Sequence, residues 1–398
     1  MGVARRYVIQ MVNTTLRRAQ PRIAIVHDWL TVYAGAERVL EQMLAVYPQA
    51  DLYCVCDFLP ESYRGFLQGR VPRTTFIQRL PLARRHYRSY LPLMPLAIEQ
   101  LDLSAYDIVL SSSHAVAKGV LTGADQLHVS YVHSPMRYAW DLQHQYLRES
   151  GLGKGLKGWA ARWMLHKLRV WDLRSSFGVD VFLANSRFIA KRIRKAYRRE
   201  AQVLYPPVQI DRFTPAQSKG DYYFALSRFV PYKRIDLIID AFRRMPDKKL
   251  KIVGDGPDRS KLEASAAGFP NIEMLGFKSD AEVARLMSGA RALVFAAEED
   301  FGIVLVEAQA SGTPVIAFGG GGALESVRPI GSETTVPTGV LFDEQTAEAI
   351  ENAVHRLESN RAAFDPLACR AQAELFDPER FRQGLKSAVD EAWQRFLQ

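Results

Sequence analysis

Cysteine is scarce in this chain: Cys54, Cys56 and Cys369 are the only three in 398 residues. Three thiols cannot build a disulfide framework, which points to a reducing compartment. Cys54 and Cys56 lie in an apolar run without a second pair or a His to complete a metal site, so both read as core, on one side of a strand. Long apolar runs are missing too. No stretch reaches the ~18 residues of a bilayer-spanning helix. The first twenty residues carry Arg5, Arg6, Arg17 and Arg18 but no apolar core, so they do not read as a secretory signal. Residues 1–20 read as a disordered N-terminal extension, as sequence ahead of a start at Met11, or as an interfacial helix. No 20–50-residue repeat and no low-complexity tract occur, which argues against a solenoid or a fibrous chain. Asp-x-Asp is absent as well, so no metal and no cofactor are expected.

What is present suits a folded protein of two or three domains. Hydrophobic residues make up 48% and charged residues 24%, the balance of an ordinary globular chain. The net charge of +9 hides an asymmetry. Residues 1–207 hold 29 Lys/Arg against 15 Asp/Glu, a net +14, whereas residues 208–398 hold 23 against 28, a net −5. A basic half joined to a mildly acidic half suggests that one domain faces an anionic partner. Lipid headgroups, a lipid pyrophosphate and nucleic acid all fit that description.

The order of patterns gives the architecture. Ile23–Val26, Asp107–Ser111, Val129–Val132 and Val181–Ala184 read as short buried strands separated by helical stretches such as Glu37–Leu44. The pattern then restarts with strands at Tyr222–Leu226, Lys249–Val253, Ile272–Leu275, Ala292–Phe295 and Pro314–Ala317. Strand–helix alternation of this kind predicts an α/β fold of two Rossmann-like, doubly wound parallel-sheet domains facing across a cleft. Tyr205-Pro206-Pro207 marks the join. The boundaries follow: extension 1–20, N-terminal domain 21–207, C-terminal domain 208–376 and C-terminal helix 377–398, with Asp377 as N-cap and Pro378 at its first position.

Open parallel sheets bind ligands beyond the carboxyl ends of their strands, and three clusters of the second half lie there. Arg228 and Lys233 follow a strand and are suited to a diphosphate, or to plain solvation. Glu299-Asp-Phe-Gly-Ile-Val-Leu-Val-Glu307 follows another. The amides of Gly302 and Ile303 at a helix start attract phosphate oxygens. Glu307, a turn inside, can accept hydrogen bonds from ribose hydroxyls, and Glu299 can hold a sugar or stabilise charge at an anomeric carbon. Acidic residues are also simply favoured near a helix N-terminus. The third cluster, Gly319 to Gly322 with Glu325, reads as a loop that approaches a ligand closely or as a flexible turn. The first half offers His27, Asp28, Gly35, His114 and His133. Residues 64–90 and 154–174 interleave cations with aromatics. Trp159 and Trp163 share a helical face, which fits a membrane interface, nucleic acid or a plain surface helix.

Taken together and in this order, these clusters resemble the family 4 retaining glycosyltransferases of the GT-B fold, over residues 21–398. Val253-Gly-Asp-Gly-Pro257 and Ser311-Gly-Thr-Pro-Val315 add to the likeness. The resemblance implies that Arg228 and Lys233 bind the donor diphosphate together with Gly302, Ile303 and Gly35. It implies that Glu307 binds ribose, and that Glu299 and His133 serve catalysis beside the transferred sugar. Asp28, His114 and Arg137 become candidate sugar or acceptor contacts. Ala34 stands where the family often has glycine. The segment His133-Ser-Pro-Met-Arg-Tyr-Ala-Trp140, after Ser112-Ser-His-Ala-Val-Ala-Lys118, is similar to bacterial mannosyltransferases of O-antigen and exopolysaccharide assembly. It implies GDP-mannose as donor and a saccharide or lipid-linked saccharide as acceptor. The location implied is the cytoplasm, peripheral at an anionic inner membrane face, with no nucleic-acid partner. The last helix is expected to cross back onto the first domain. Transfer from a UDP-sugar, a nucleotide-sugar epimerase and, outside enzymes, a nucleic-acid-binding protein remain the alternatives.

Overall fold

The computed structural model describes residues 21–216, 218–331 and 336–398; the extension expected at 1–20 lies outside them. The first domain is built on seven parallel strands. These are β1 (Ile23–His27), β2 (Asp51–Cys54), β3 (Arg73–Thr74), β4 (Ile108–Ser113), β5 (Leu127–Val132), β6 (Val181–Ala184) and β7 (Gln202–Val203), in the spatial order β3-β2-β1-β4-β5-β6-β7. The second domain has six: β8 (Tyr223–Leu226), β9 (Leu250–Val253), β10 (Ile272–Gly276), β11 (Leu293–Phe295), β12 (Val315–Phe318) and β13 (Gly339–Phe342). Their order is β10-β9-β8-β11-β12-β13, again all parallel. Every residue of β1, β4 and β5 is buried. Helices cover both faces of the sheet, so a central strand must be apolar on both sides.

Both sheets reverse their winding next to their first strand, at β1/β4 and at β8/β11. That switch point is where the loops diverge and leave a crevice. The loops after β1, β4, β8 and β11 therefore become the walls of the site.

The chain crosses between domains twice. Val208 donates to the carbonyl of Phe376 at 2.9 Å, and Tyr205, Phe301 and Phe376 pack with ring centroids 5.2–5.7 Å apart. Beyond the second crossing, the helix Pro378–Phe396 starts on the Asp377 side chain, which accepts from the Glu379 amide at 2.6 Å. Its Phe381, Leu385, Ala388, Val389 and Ala392 enter the first domain's core beside Val39, Leu40 and Met43. Burying such a stripe stabilises the helix by roughly 1.5–3 kcal/mol per large side chain, far more than its own propensity supplies.

One local expectation needs correction. β2 ends at Cys54, so the period-two alternation stops before Cys56. Cys54 packs into the layer of Leu40 and Met43, whereas Cys56 packs on the opposite face of the sheet with Tyr53 and Val55. The end of the Gly319–Gly322 run, for its part, packs on protein backbone. A Cβ on Gly321 would lie 2.1 Å from the Glu299 carbonyl, and one on Gly322 would lie 2.2 Å from Cα of Phe301. The glycines let this backbone lie flat on the 299–301 loop, and the Gly322 amide bonds the Glu299 carbonyl at 2.8 Å.

Candidate active site

A cleft of about 790 Å³ runs between the domains. From the second domain it is lined by Arg228, Lys233, Glu299, Gly302, Ile303 and Glu307, and from the first by Gly35, His114, His133 and Arg137. Residues up to 272 positions apart thus meet in one space because both switch points open onto it.

The helix Ile303–Ala310 starts at Gly302, whose φ of +82° only glycine adopts without strain; a Cβ there would also press Leu305 at 2.9 Å. Its first amides have no intrahelical acceptor and face the cleft. Gly35, at the start of the helix Gly35–Val46, sits directly opposite: a Cβ on it would come within 3.1 Å of the Ile303 methyl. The two helix starts approach this closely only because position 35 has no side chain. Arg228 is exposed in the cleft and makes no ion pair among the described residues. Lys233 instead pairs with Glu299 at close range. Glu307, 8% exposed, accepts from Arg38 of the opposite domain at 2.7 Å.

Further bonds clasp the domains. Asp300 receives Arg137 and, at 3.1 Å, Arg192, while its carbonyl accepts from Ser186 at 2.6 Å. Glu325 caps the helix Arg187–Tyr197, accepting from the amides of Arg187 and Phe188 at 2.8 and 3.0 Å. Arg38, Arg192 and Asp300 were not singled out from sequence. Asp300 lies inside the Glu299–Glu307 cluster, but nothing local shows that its partners come from 108 and 163 residues away.

The first-domain side is organised by burial. Asp28 is fully buried, and its carboxylate accepts four backbone amides, those of His114, Ala115, Val116 and Ala117, at 2.6–2.9 Å. Burial alone would raise its pKa. The adjacent His114, 3.0 Å away, and the amides more than offset this and hold the carboxyl well below its usual range. Asp28 is therefore the clasp of the loop after β4 and not a sugar contact, which corrects the sequence reading. His114 reaches the cleft with its imidazole already bound to Asp28; burial opposes its protonation, but the Asp28 charge prevails and raises its pKa. Arg137 lines the cleft with its guanidinium paired to Asp300. His133 ends β5 at the cleft. Burial first, and then the neighbouring His114 and His27, hold its imidazole neutral, well below the usual value. Among the described residues no group of three or more His, Cys, Asp or Glu side chains is placed to hold a metal ion.

Residues 209–374 match the family model described as Glycosyl transferases group 1. That match lies within the second domain. The chain is 33% identical over 244 residues to the GDP-mannose-dependent alpha-(1-6)-phosphatidylinositol monomannoside mannosyltransferase of Mycolicibacterium smegmatis. That alignment takes in 54% of this chain and 62% of that protein. Across the first curated relatives, the chain spans 38–62% of their length. Among solved structures, sucrose-phosphate synthase of Thermosynechococcus elongatus superposes with a TM-score of 0.69 at 16% identity, covering 94% of this chain and 100% of that one. HepE of Anabaena, in complex with UDP and glucose, gives 0.67 at 18% identity, covering 93% and 100%. The shared architecture is the two-domain GT-B fold.

Proposed function

We propose that this protein is a retaining glycosyltransferase that moves mannose from GDP-mannose to a saccharide or lipid-linked saccharide acceptor. One observation carries the reading: cations, helix-start amides and two glutamates of one domain face a glycine and a neutral histidine of the other across a single cleft. In this reading Arg228, Lys233 and the amides of Gly302 and Ile303 hold the diphosphate, with Gly35 leaving room for it. Glu307 exchanges Arg38 for the ribose hydroxyls, and Glu299 exchanges Lys233 for the sugar. The bond from the anomeric carbon to the leaving phosphate oxygen breaks through an oxocarbenium-like state. The acceptor oxygen bonds on the same face and gives its proton to that phosphate oxygen. The fixed cations and amides favour this step because negative charge develops where they already point. Domain closure excludes water. An inverted anomer in the product, read by NMR, would overturn retention.

The GDP-mannose dependence of the Mycolicibacterium smegmatis relative supports the donor. Calorimetry with GDP and UDP tests it. GDP should bind more tightly, and Glu307→Ala should weaken GDP by roughly 10–100-fold, as the loss of hydrogen bonds to a charged group does. Preference for UDP would overturn the mannose donor, and binding of neither would overturn the nucleotide-sugar reading.

A membrane-borne acceptor is supported by the helix Gly155–Ser175. One face buries Gly158, Ala161, Leu165 and Leu168. The opposite face exposes Leu156, Trp159 and Trp163 at 89%, 67% and 56%, among Lys154, Lys157, Lys167 and Arg174. A helix apolar on its outer face and ringed by cations suits an anionic bilayer surface. No helix among the described residues is long and apolar enough to cross a membrane. The protein should float with phosphatidylglycerol vesicles, and Trp159→Ala with Trp163→Ala should abolish this; equal flotation of the double variant would overturn it.

A further inference from the structure

A second cavity, of about 520 Å³, adjoins the cleft. Its second-domain wall is the segment 230–236 and the start of the helix Arg259–Ala266; its first-domain wall is the helix Gln143–Glu149. Arg137, Tyr146 and Tyr232 line both spaces. They also locate the junction. Arg137 pairs with Asp300, the neighbour of Glu299. The Lys233 ammonium, paired with Glu299, lies 5.5 Å from the centre of the Tyr232 ring. Gly35 and Glu307 line the cleft but not the cavity. The cavity therefore meets the cleft on the Glu299 side.

We infer that this cavity is the acceptor subsite, and that it takes a neutral saccharide whose reacting hydroxyl reaches the cleft past Arg137 and Tyr232. The charges of the lining select the class. Arg148, Arg234 and Lys261 stand against Glu149, Asp236, Asp258 and Glu298, and Arg137 makes the two signs equal in number. No net charge draws an anion, and the carboxylates would repel one. A sugar hydroxyl both donates and accepts, so it can use both kinds of group. Arg148, Lys261, Asp258 and Glu298 make no ion pair or side-chain hydrogen bond among the described residues, which leaves them open to such hydroxyls. Tyr146 and Tyr232 are half-buried, yet their hydroxyls make no hydrogen bond among the described residues either. A tyrosine in that setting ordinarily finds a partner. Their rings supply apolar surface for the C–H face of a sugar, and their hydroxyls supply partners for its rim. The volume lies within the range of about 300–1,000 Å³ that buries a small-molecule ligand.

The inference rests on the cleft being a sugar-transfer site, and it adds the place and the class of the acceptor. Because the two walls belong to different domains, the subsite is whole only while the domains are closed, as the Asp300 clasp holds them.

The test uses the full chain carrying Lys261→Cys. The three native thiols are buried, so a biphenyl maleimide attaches at position 261, which is exposed on the cavity wall, and fills the cavity. Saturation-transfer NMR with mannotriose, maltotriose and chitotriose, in excess GDP, reads saccharide binding, and calorimetry reads GDP. The unlabelled variant should transfer saturation to at least one trisaccharide and the labelled one to none, at equal GDP affinity. Tyr146→Ala, the second variant, should weaken the bound trisaccharide by roughly tenfold, the worth of one aromatic contact and its burial, and leave GDP unchanged. Silence of all three trisaccharides with the unlabelled protein, or a signal that survives the label, overturns the proposal. Loss of GDP affinity on labelling would make the cavity part of the nucleotide site and overturns it too. If neither form binds GDP while the saccharide signal still obeys the label, only the nucleotide-sugar reading falls.

Discussion

The two walls of the cleft hold their polar groups in different ways. On the first-domain wall, Asp28, His27 and Ser112 are fully buried and bonded to their own domain. On the second-domain wall, Lys233, Glu299 and Glu307 keep 11–18% of their side chains exposed, and each is paired with another charge in the cleft. A buried group cannot change partners without leaving a neighbour unsatisfied, which costs several kcal/mol. An ion pair at the cleft surface exchanges partners more cheaply, because a ligand or water in the cleft can cover the intermediate. One wall is therefore a fixed template, and the other is a set of charges a ligand can claim.

The largest effects should separate the walls by kind. Asp28→Asn puts an amide NH₂ against backbone amides and leaves His114 without its counter-charge. We expect roughly 3–5 kcal/mol of lost stability, read as a lower denaturation midpoint. Glu299→Gln should change stability by less than about 1 kcal/mol yet lower turnover by roughly 10²–10³. If the two variants fail in the same way, the contrast is wrong.

A second difference is pH dependence. His128 is fully buried in the first domain, with Nε2 2.9 Å from Ser111 Oγ and Nδ1 3.1 Å from the Gly178 carbonyl. Burial, only partly offset by that carbonyl, lowers its pKa from 6.5 to about 4. The folded value is the depressed one, so its contribution is complete above pH 6.5 and is lost as pH falls toward 4. Denaturant melts should show about 2 kcal/mol less stability at pH 5 than at pH 7 from this group, and His128→Gln should remove that share of the slope.

The smallest effect sharpens the picture most. If Arg38 only occupies Glu307 until a ligand comes, Arg38→Ala should tighten GDP binding by up to about fivefold, the worth of a weak ion pair. Weaker binding would make Arg38 a ligand contact instead.

Much of the site was legible in local pattern. Strand ends followed by Arg228, by Glu299 and by Gly35 mark loops at sheet ends, and the family resemblance assigned them roles. The partners were not legible. Arg38 and Glu307 are 269 residues apart, and no periodicity links them. Asp28 illustrates the limit well: beside His27 at a strand end it reads as a ligand contact, and only the backbone of 114–117 folding over it turns it into a clasp. The glycine run is ambiguous in the same way, because close approach to a ligand and to protein backbone need the same absent side chain.

Sequence alone determined the alternation of buried strands and amphipathic helices, hence two doubly wound sheets, since hydrophobic periodicity is written along the chain. It also determined which residue types stand at the strand ends. The tertiary structure alone decided which of those groups open into the cleft and which are spent inside a domain. That choice depends on burial and on hydrogen bonds between segments remote in sequence, and a polar side chain carries no mark of it until its neighbours close around it.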